Sequence, residues 1–275
     1  MKRKLIQLGD SSFAVTLPTA WIKKNNLSKS DEVELNVYYD KITIFKEKSK
    51  KELKKSTLDL RNKSEKICWF AISNEYMKGV EEFTILCDKN NVELVKKIVD
   101  FLVGAVIISE TENELIVECI SEPSDSLKEK VLDKLVFKMR ELVKDAVETL
   151  LKERKYPNFK EKDHELNRLF FYSIRALRTQ LENKDDEILL VQGFENIMDS
   201  FELVVEEGIV NDTLKEFESV FIELTNIYFN REKKQNLLKI YEKVSRLKDK
   251  CENKTLKFLF TSFKRTIQMI SPIFE

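Results

Sequence analysis

The sequence predicts a multidomain α+β protein, in which a small unit of short strands is followed by a small α/β unit and then by a long helical half. Three observations predict this. Five glycines and four prolines in 275 residues amount to about 3%, where an average chain carries about 12%, so few breakers interrupt its helices. Apolar residues recur with a period of two in the first 46 positions and with a helical period after residue 123. Charge divides unevenly as well. The whole chain balances 48 basic against 48 acidic residues, yet residues 1–66 hold 16 basic and 9 acidic ones, which suggests different partners for the two ends.

Residues 4–8, 13–17, 32–38 and 41–45 alternate apolar and polar side chains as half-buried strands do. Between the second and third, PTAWIKKNNL reads as a short helix, with Thr19 as its cap and Trp21, Ile22 and Leu27 as its apolar side. About 45 residues of this kind bury too little surface to fold well alone, so residues 1–46 are expected to dimerise. Residues 47–65 read as a charged linker, lying in a stretch with nine basic and four acidic residues (46–66). Residues 66–122 form the expected α/β unit: a strand at 66–73, a short helical turn, a strand at 82–87, a helix at 92–103 and strands at 105–109 and 114–120. Asn90-Asn91 marks a turn, and Gly104 sits where a helix C-cap belongs. From residue 123 to 275 the pattern is helical throughout. A first helix begins near Ser124 or Asp125, and breaks near Tyr156-Pro157, Asn183-Lys184, 208–211, 230–233 and Asn253 delimit five more. Short connections imply antiparallel neighbours, and two successive three-helix bundles are the simplest arrangement.

Several function classes fall away. The longest apolar run, 101–109, is far short of the roughly 20 residues of a membrane span. The basic start (Lys2, Arg3, Lys4) is followed by polar residues instead of the apolar stretch of a signal peptide, so a cytoplasmic protein is expected. Cys68, Cys87, Cys119 and Cys251 stand apart without metal-ligand spacing and read as buried thiols. A single histidine, His164, and the absence of phosphate-binding glycine loops argue against a familiar enzyme.

The stretch RKLIQLGDSSFAVTLPTAWIKKNNLSKSDEVEL (residues 3–35) resembles the swapped-hairpin DNA-binding domain of the AbrB/MazE/SpoVT family. A strand, a turn, a second strand running into Leu17-Pro18, a short helix and an L-x-x-x-D-E-V element follow in the family's order. Ser30 stands where the family usually has glycine, and a left-handed turn there costs serine roughly 1 kcal/mol. The resemblance implies a barrel-like domain interleaved from two chains, with DNA met by Arg3 and Lys4, by Ser11 and Ser12 in the turn, and by Lys23 and Lys24 on the helix. Independently of it, Arg and Lys neutralise phosphates, and hydroxyls or turn amides donate to phosphate oxygens.

In the helical half, Asp163-His164-Glu165-Leu166-Asn167-Arg168-Leu169 and Phe194-Glu195-Asn196-Ile197-Met198-Asp199-Ser200 resemble two helix motifs of PhoU-type phosphate-uptake regulators. Carboxylates at i and i+4 share one helical face, so Asp163, Glu165, Glu195 and Asp199 are candidate ligands for a divalent or iron cation. Asn167, Met198 and Ser200 depart from the motif, and a neutral amide in place of a carboxylate weakens such a site. The later aromatic residues fall at helical spacing and read as core. The order of the parts resembles archaeal PhoU-type regulators, which implies a transcriptional regulator linked to phosphate uptake, with PhoU-like bundles and a transporter component or signalling protein as partner. The alternative is a protein-interaction or metal-sensing module whose N-terminal domain only dimerises.

Overall fold

The computed structural model describes residues 2–37, 42–46, 54–120, 125–179, 185–230 and 234–274. The chain divides into two compact units, residues 1–52 and 53–275.

Among its described residues, the first unit contains two antiparallel hairpins and one short helix. Strands β1 (Ile6–Leu8) and β2 (Ser12–Ala14) pair with Ile6 opposite Ala14 and Leu8 opposite Ser12. The three-residue connection opens on Gly9, whose positive φ of 70° suits a residue without Cβ. Helix α1 (Thr19–Lys24) follows, and then β3 (Val33–Val37) and β4 (Ile42–Lys46) pair from Val33 opposite Lys46 to Val37 opposite Ile42. The first two strands are shorter than expected. Arg3 and Lys4 precede β1, and Val15 to Leu17 lie beyond the last rung of the ladder. Pro18, not Thr19, caps α1, its carbonyl accepting from the Trp21 and Ile22 amides at 3.0 and 3.1 Å. The helix closes on Asn26, at φ 50°, with the Leu27 amide donating back to Ile22 O at 3.0 Å, the left-handed ending for which asparagine is the usual substitute for glycine. Ser30 does adopt the left-handed conformation, at φ 77°, beside an Asp31 carboxylate that accepts from the Ser28 amide at 2.7 Å. No described residue in 2–46 with a defined side chain is buried.

The second unit starts earlier than the sequence suggests. Residues 47–53 of the expected linker lie outside the described residues, but its remainder forms strand β5 (Lys55–Asp59). Ser56 and Leu58 turn inward while Lys55, Thr57 and Asp59 stay exposed, so an edge strand hides in a charged stretch. The expected strand at 66–73 is instead part of helix α2 (Glu65–Met77), because an unbroken apolar run does not distinguish the two and a parallel β5–β6 pair needs a long crossover. Strand β6 (Glu82–Leu86), helix α3 (Val92–Phe101), β7 (Ala105–Glu110) and β8 (Glu114–Cys119) complete a sheet of order β5-β6-β8-β7. Helix α3 ends two residues before its expected end, and Gly104, at φ 78°, belongs to the turn into β7.

Among the described residues six further α-helices follow: α4 (Asp125–Glu153), α5 (Phe159–Arg178), α6 (Asp185–Glu206), α7 (Thr213–Asn230), α8 (Lys234–Lys250) and α9 (Lys254–Ile270). The expected break at Asn183-Lys184 lies outside the described residues. The helices do not form two separate bundles: one apolar core runs from Leu132 on α4 to Ile270 on α9. Its centre is aromatic, with Phe201 stacked on Phe217 at 5.0 Å between ring centres and Phe263 edge-on to Phe217 at 6.1 Å. Helices α6 and α9 approach closely at Gly193, where a Cβ would lie 2.8 Å from a Thr266 methyl and where Thr266 Oγ1 donates to the Gly193 carbonyl at 3.0 Å.

Nor is the α/β layer a domain of its own. Its core of Cys68, Ile72, Tyr76, Phe83, Ile85, Val95, Ile98, Leu115 and Val117 also takes in Val131 of α4 and Tyr172 of α5. Arg175 of α5 is fully buried and donates through Nη1 to the Tyr76 and Val80 carbonyls at 2.9 and 2.8 Å, with its guanidinium 5.0 Å from the centre of the Tyr76 ring. A cation at the C-terminal carbonyls of α2 meets the negative end of that helix, which locks the layer to the helices. All four cysteines are buried free thiols, each pushed above its ordinary pKa by burial. Among the described residues no helix is long and apolar enough to cross a membrane.

Candidate functional site

The six positions expected to meet DNA are all exposed. They occupy three places. Arg3 and Lys4 lie in the segment leading into β1, at the open end of the first hairpin; Ser11 and Ser12 lie at its turn; Lys23 and Lys24 form the last turn of α1. The hairpin register keeps the first two groups apart, since the four residues from Lys4 to Leu8, opposite Ser12, span about 13 Å if extended. One chain thus offers separate positive and hydroxyl-bearing points. A cation that the sequence reading passed over also lies in this unit: Lys46 Nζ donates to the Asn25 carbonyl at 3.0 Å.

The carboxylates of the second unit divide differently from expectation. Asp163 on α5 faces a row on α6 made of Glu195, Asp199 and Glu202. Burial, then the charges of Glu202 and Asp199, push Asp163 up to about 6. Burial first, then Asp199, Asp163 and Glu202, raise Glu195 well above the carboxylate range. Glu202, raised by burial and by Glu206 and Asp199, is the member that sequence reading missed, although the 195, 199, 202 spacing is legible as one helical stripe. Glu165 is not a member. Two residues along a helix lie about 200° apart around the axis, so Asp163 and Glu165 face opposite ways, and Glu165 accepts from Lys138 Nζ on α4 at 2.9 Å.

The expected cation cluster is not assembled. Among the described residues no three His, Cys, Asp or Glu side chains converge to hold a metal ion. Asp163 Oδ2 instead accepts from Asn167 Nδ2 at 2.8 Å. The α6 carboxylates form a row along the axis, where a 1.5 Å rise per residue sets neighbours roughly 6 and 4.5 Å apart.

Among the described residues, the two hairpins and the helix of the first unit bury no side chain and leave large apolar residues such as Leu5, Phe13 and Val37 exposed. Residues 6–52 match the family described as antidote-toxin recognition MazE, bacterial antitoxin. The match ends where the first compact unit ends. No curated protein and no solved structure matches the chain.

Proposed function

We propose that the protein is a DNA-binding regulator that works as a homodimer, with the first units of two chains joined into one duplex-facing module and residues 53–275 sensing an effector or partner. The carrying observation is the inverted first unit: Leu5, Ile6, Leu8, Phe13, Val15, Leu35, Val37 and Ile42 are each between 45% and 74% exposed. Eight large apolar side chains on so short a unit would not remain in water, and a second copy supplies an identical apolar surface to meet them. Pairing also doubles the basic points. A duplex carries charge along its whole length, so points about 13 Å apart meet separate phosphates. The match of residues 6–52 supports the same reading. The motifs at 163–169 and 194–200 support phosphate uptake as the process under control.

The test joins sedimentation with a DNA titration. The full chain should be dimeric at micromolar concentration and should bind duplex DNA with an affinity that falls log-linearly with salt. Arg3→Ala with Lys4→Ala should flatten that slope by about 2 for each chain contacting the duplex, at about 0.9 per lost phosphate contact. A monomer, or no binding at low salt, refutes the reading. The family's description favours a second reading, an antitoxin-type regulator whose partner is a toxin protein; a dimer that binds no DNA but captures one defined protein through residues 1–52 would select it.

A further inference from the structure

A cleft of about 630 Å³ opens between the α/β layer and the helices. One wall is aromatic: Trp69 of α2, Phe101 of α3 and Phe171 of α5 stand together, with Trp69 and Phe171 edge-on to Phe101 at 5.2 and 5.7 Å between ring centres. On the α6 side Glu195 and Asp199 line the cleft together with the neutral Gln192 and Asn196, and His164 of α5 stands 4.5 Å from the Phe101 ring centre. Glu195 is half-buried, and among the described residues its carboxylate meets neither a cation nor a hydrogen-bond donor. Glu202 continues the row one turn further along α6, beyond the residues that line the cleft.

We propose that this cleft binds a linear organic polycation of the polyamine class. Two features select that chemistry over a compact ion. Among the described residues no three His, Cys, Asp or Glu side chains converge on a single metal ion, whereas four methylenes hold two ammonium groups about 6 Å apart, which matches Glu195 and Asp199 one turn apart on α6. The facing rings then take the methylenes by apolar contact and an ammonium over a π-face, as cation–π recognition requires. The like charge of Asp199 that burdens Glu195 is what such a ligand would neutralise. The proposal stands on the cleft alone, whatever the first unit binds.

The chain has two tryptophans, Trp21 and Trp69, so Trp21→Phe leaves one reporter in the cleft wall. Spermidine titrated into the full-length Trp21→Phe protein at 150 mM salt should change Trp69 emission saturably, and calorimetry on the unsubstituted chain should give the same affinity. Glu195→Gln should weaken binding tenfold or more. Glu165→Gln, which removes an acid outside the cleft, should leave it unchanged. Proper folding of Glu195→Gln is checked by an unaltered circular dichroism spectrum and melting cooperativity. A signal that does not saturate, or that Glu195→Gln leaves intact, overturns the proposal. So does saturable binding of manganese(II) alone that spermidine cannot displace.

Discussion

The replacement Asp163→Asn isolates the electrostatic burden on α5 and α6. In the folded chain the Asp163 carboxyl titrates near 6 against an ordinary value of 3.8. Between about pH 4 and 6 the folded state therefore keeps a proton that the unfolded state has released, so stability falls as pH rises through that window, and the whole penalty is present above it. A shift of about two units corresponds to about 3 kcal/mol. Asp163 is only half-buried, and solvent screening of its charge reduces this to about 1–2 kcal/mol. Asparagine has nearly the same shape, keeps an oxygen for the Asn167 amide and carries no charge. The variant should be more stable than the parent by that amount at pH 8 and equal to it near pH 3.5. Urea unfolding of the full chain, followed by the helical circular dichroism signal, reads the difference. With a slope of about 3 kcal/mol per M, the midpoint should rise by about 0.5 M at pH 8. A variant no more stable at pH 8, or one with the same gain at both pH values, refutes the argument.

Two other replacements test backbone geometry. Ser30→Gly should raise stability by about 1 kcal/mol, since Ser30 is held at φ 77° and is exposed, so only conformational strain changes; a thermal melt of the full chain reads it, and a lowered midpoint would show that the serine side chain contributes more than the strain removes. Gly79→Ala should destabilise by about 2–3 kcal/mol, because Gly79 sits at φ 79° and a Cβ there would lie 2.8 Å from the Thr179 methyl. Denaturant unfolding checks it, and a neutral result would mean that the junction of α2 and α5 gives way easily.

Local pattern made much of this chain legible. The hairpin strands at the N-terminus, the positions of β6, β7 and β8, and the six helices after residue 123 each follow from a period of two or of 3.6, which a single segment states by itself. The left-handed Ser30 was visible because one turn demands one conformation. The burial of Cys68, Cys87 and Cys119 follows from their apolar neighbours, whereas Cys251, in a charged stretch, is buried by the packing of the helices. On α6 the acidic stripe was half visible, with Glu195 and Asp199 found and Glu202 passed over.

What no segment states is which face meets which partner. Strand β5 lies in a charged stretch and exists because β6 supplies its hydrogen bonds. Helix α2 took the place of an expected strand because the crossover between those parallel strands has to be long. Glu165 left the carboxylate group because α5 turns Asp163, two residues earlier, toward α6. The single core shared by six helices and the burial of Arg175 against the end of α2 depend on side chains more than 90 residues apart. The sequence by itself determined the elements and the charge of each end, because propensity and periodicity act over a few residues. Only the tertiary structure decided the shared core, the placing of the acids and the aromatic cleft, because burial and electrostatic shifts arise from neighbours that chain distance does not reveal.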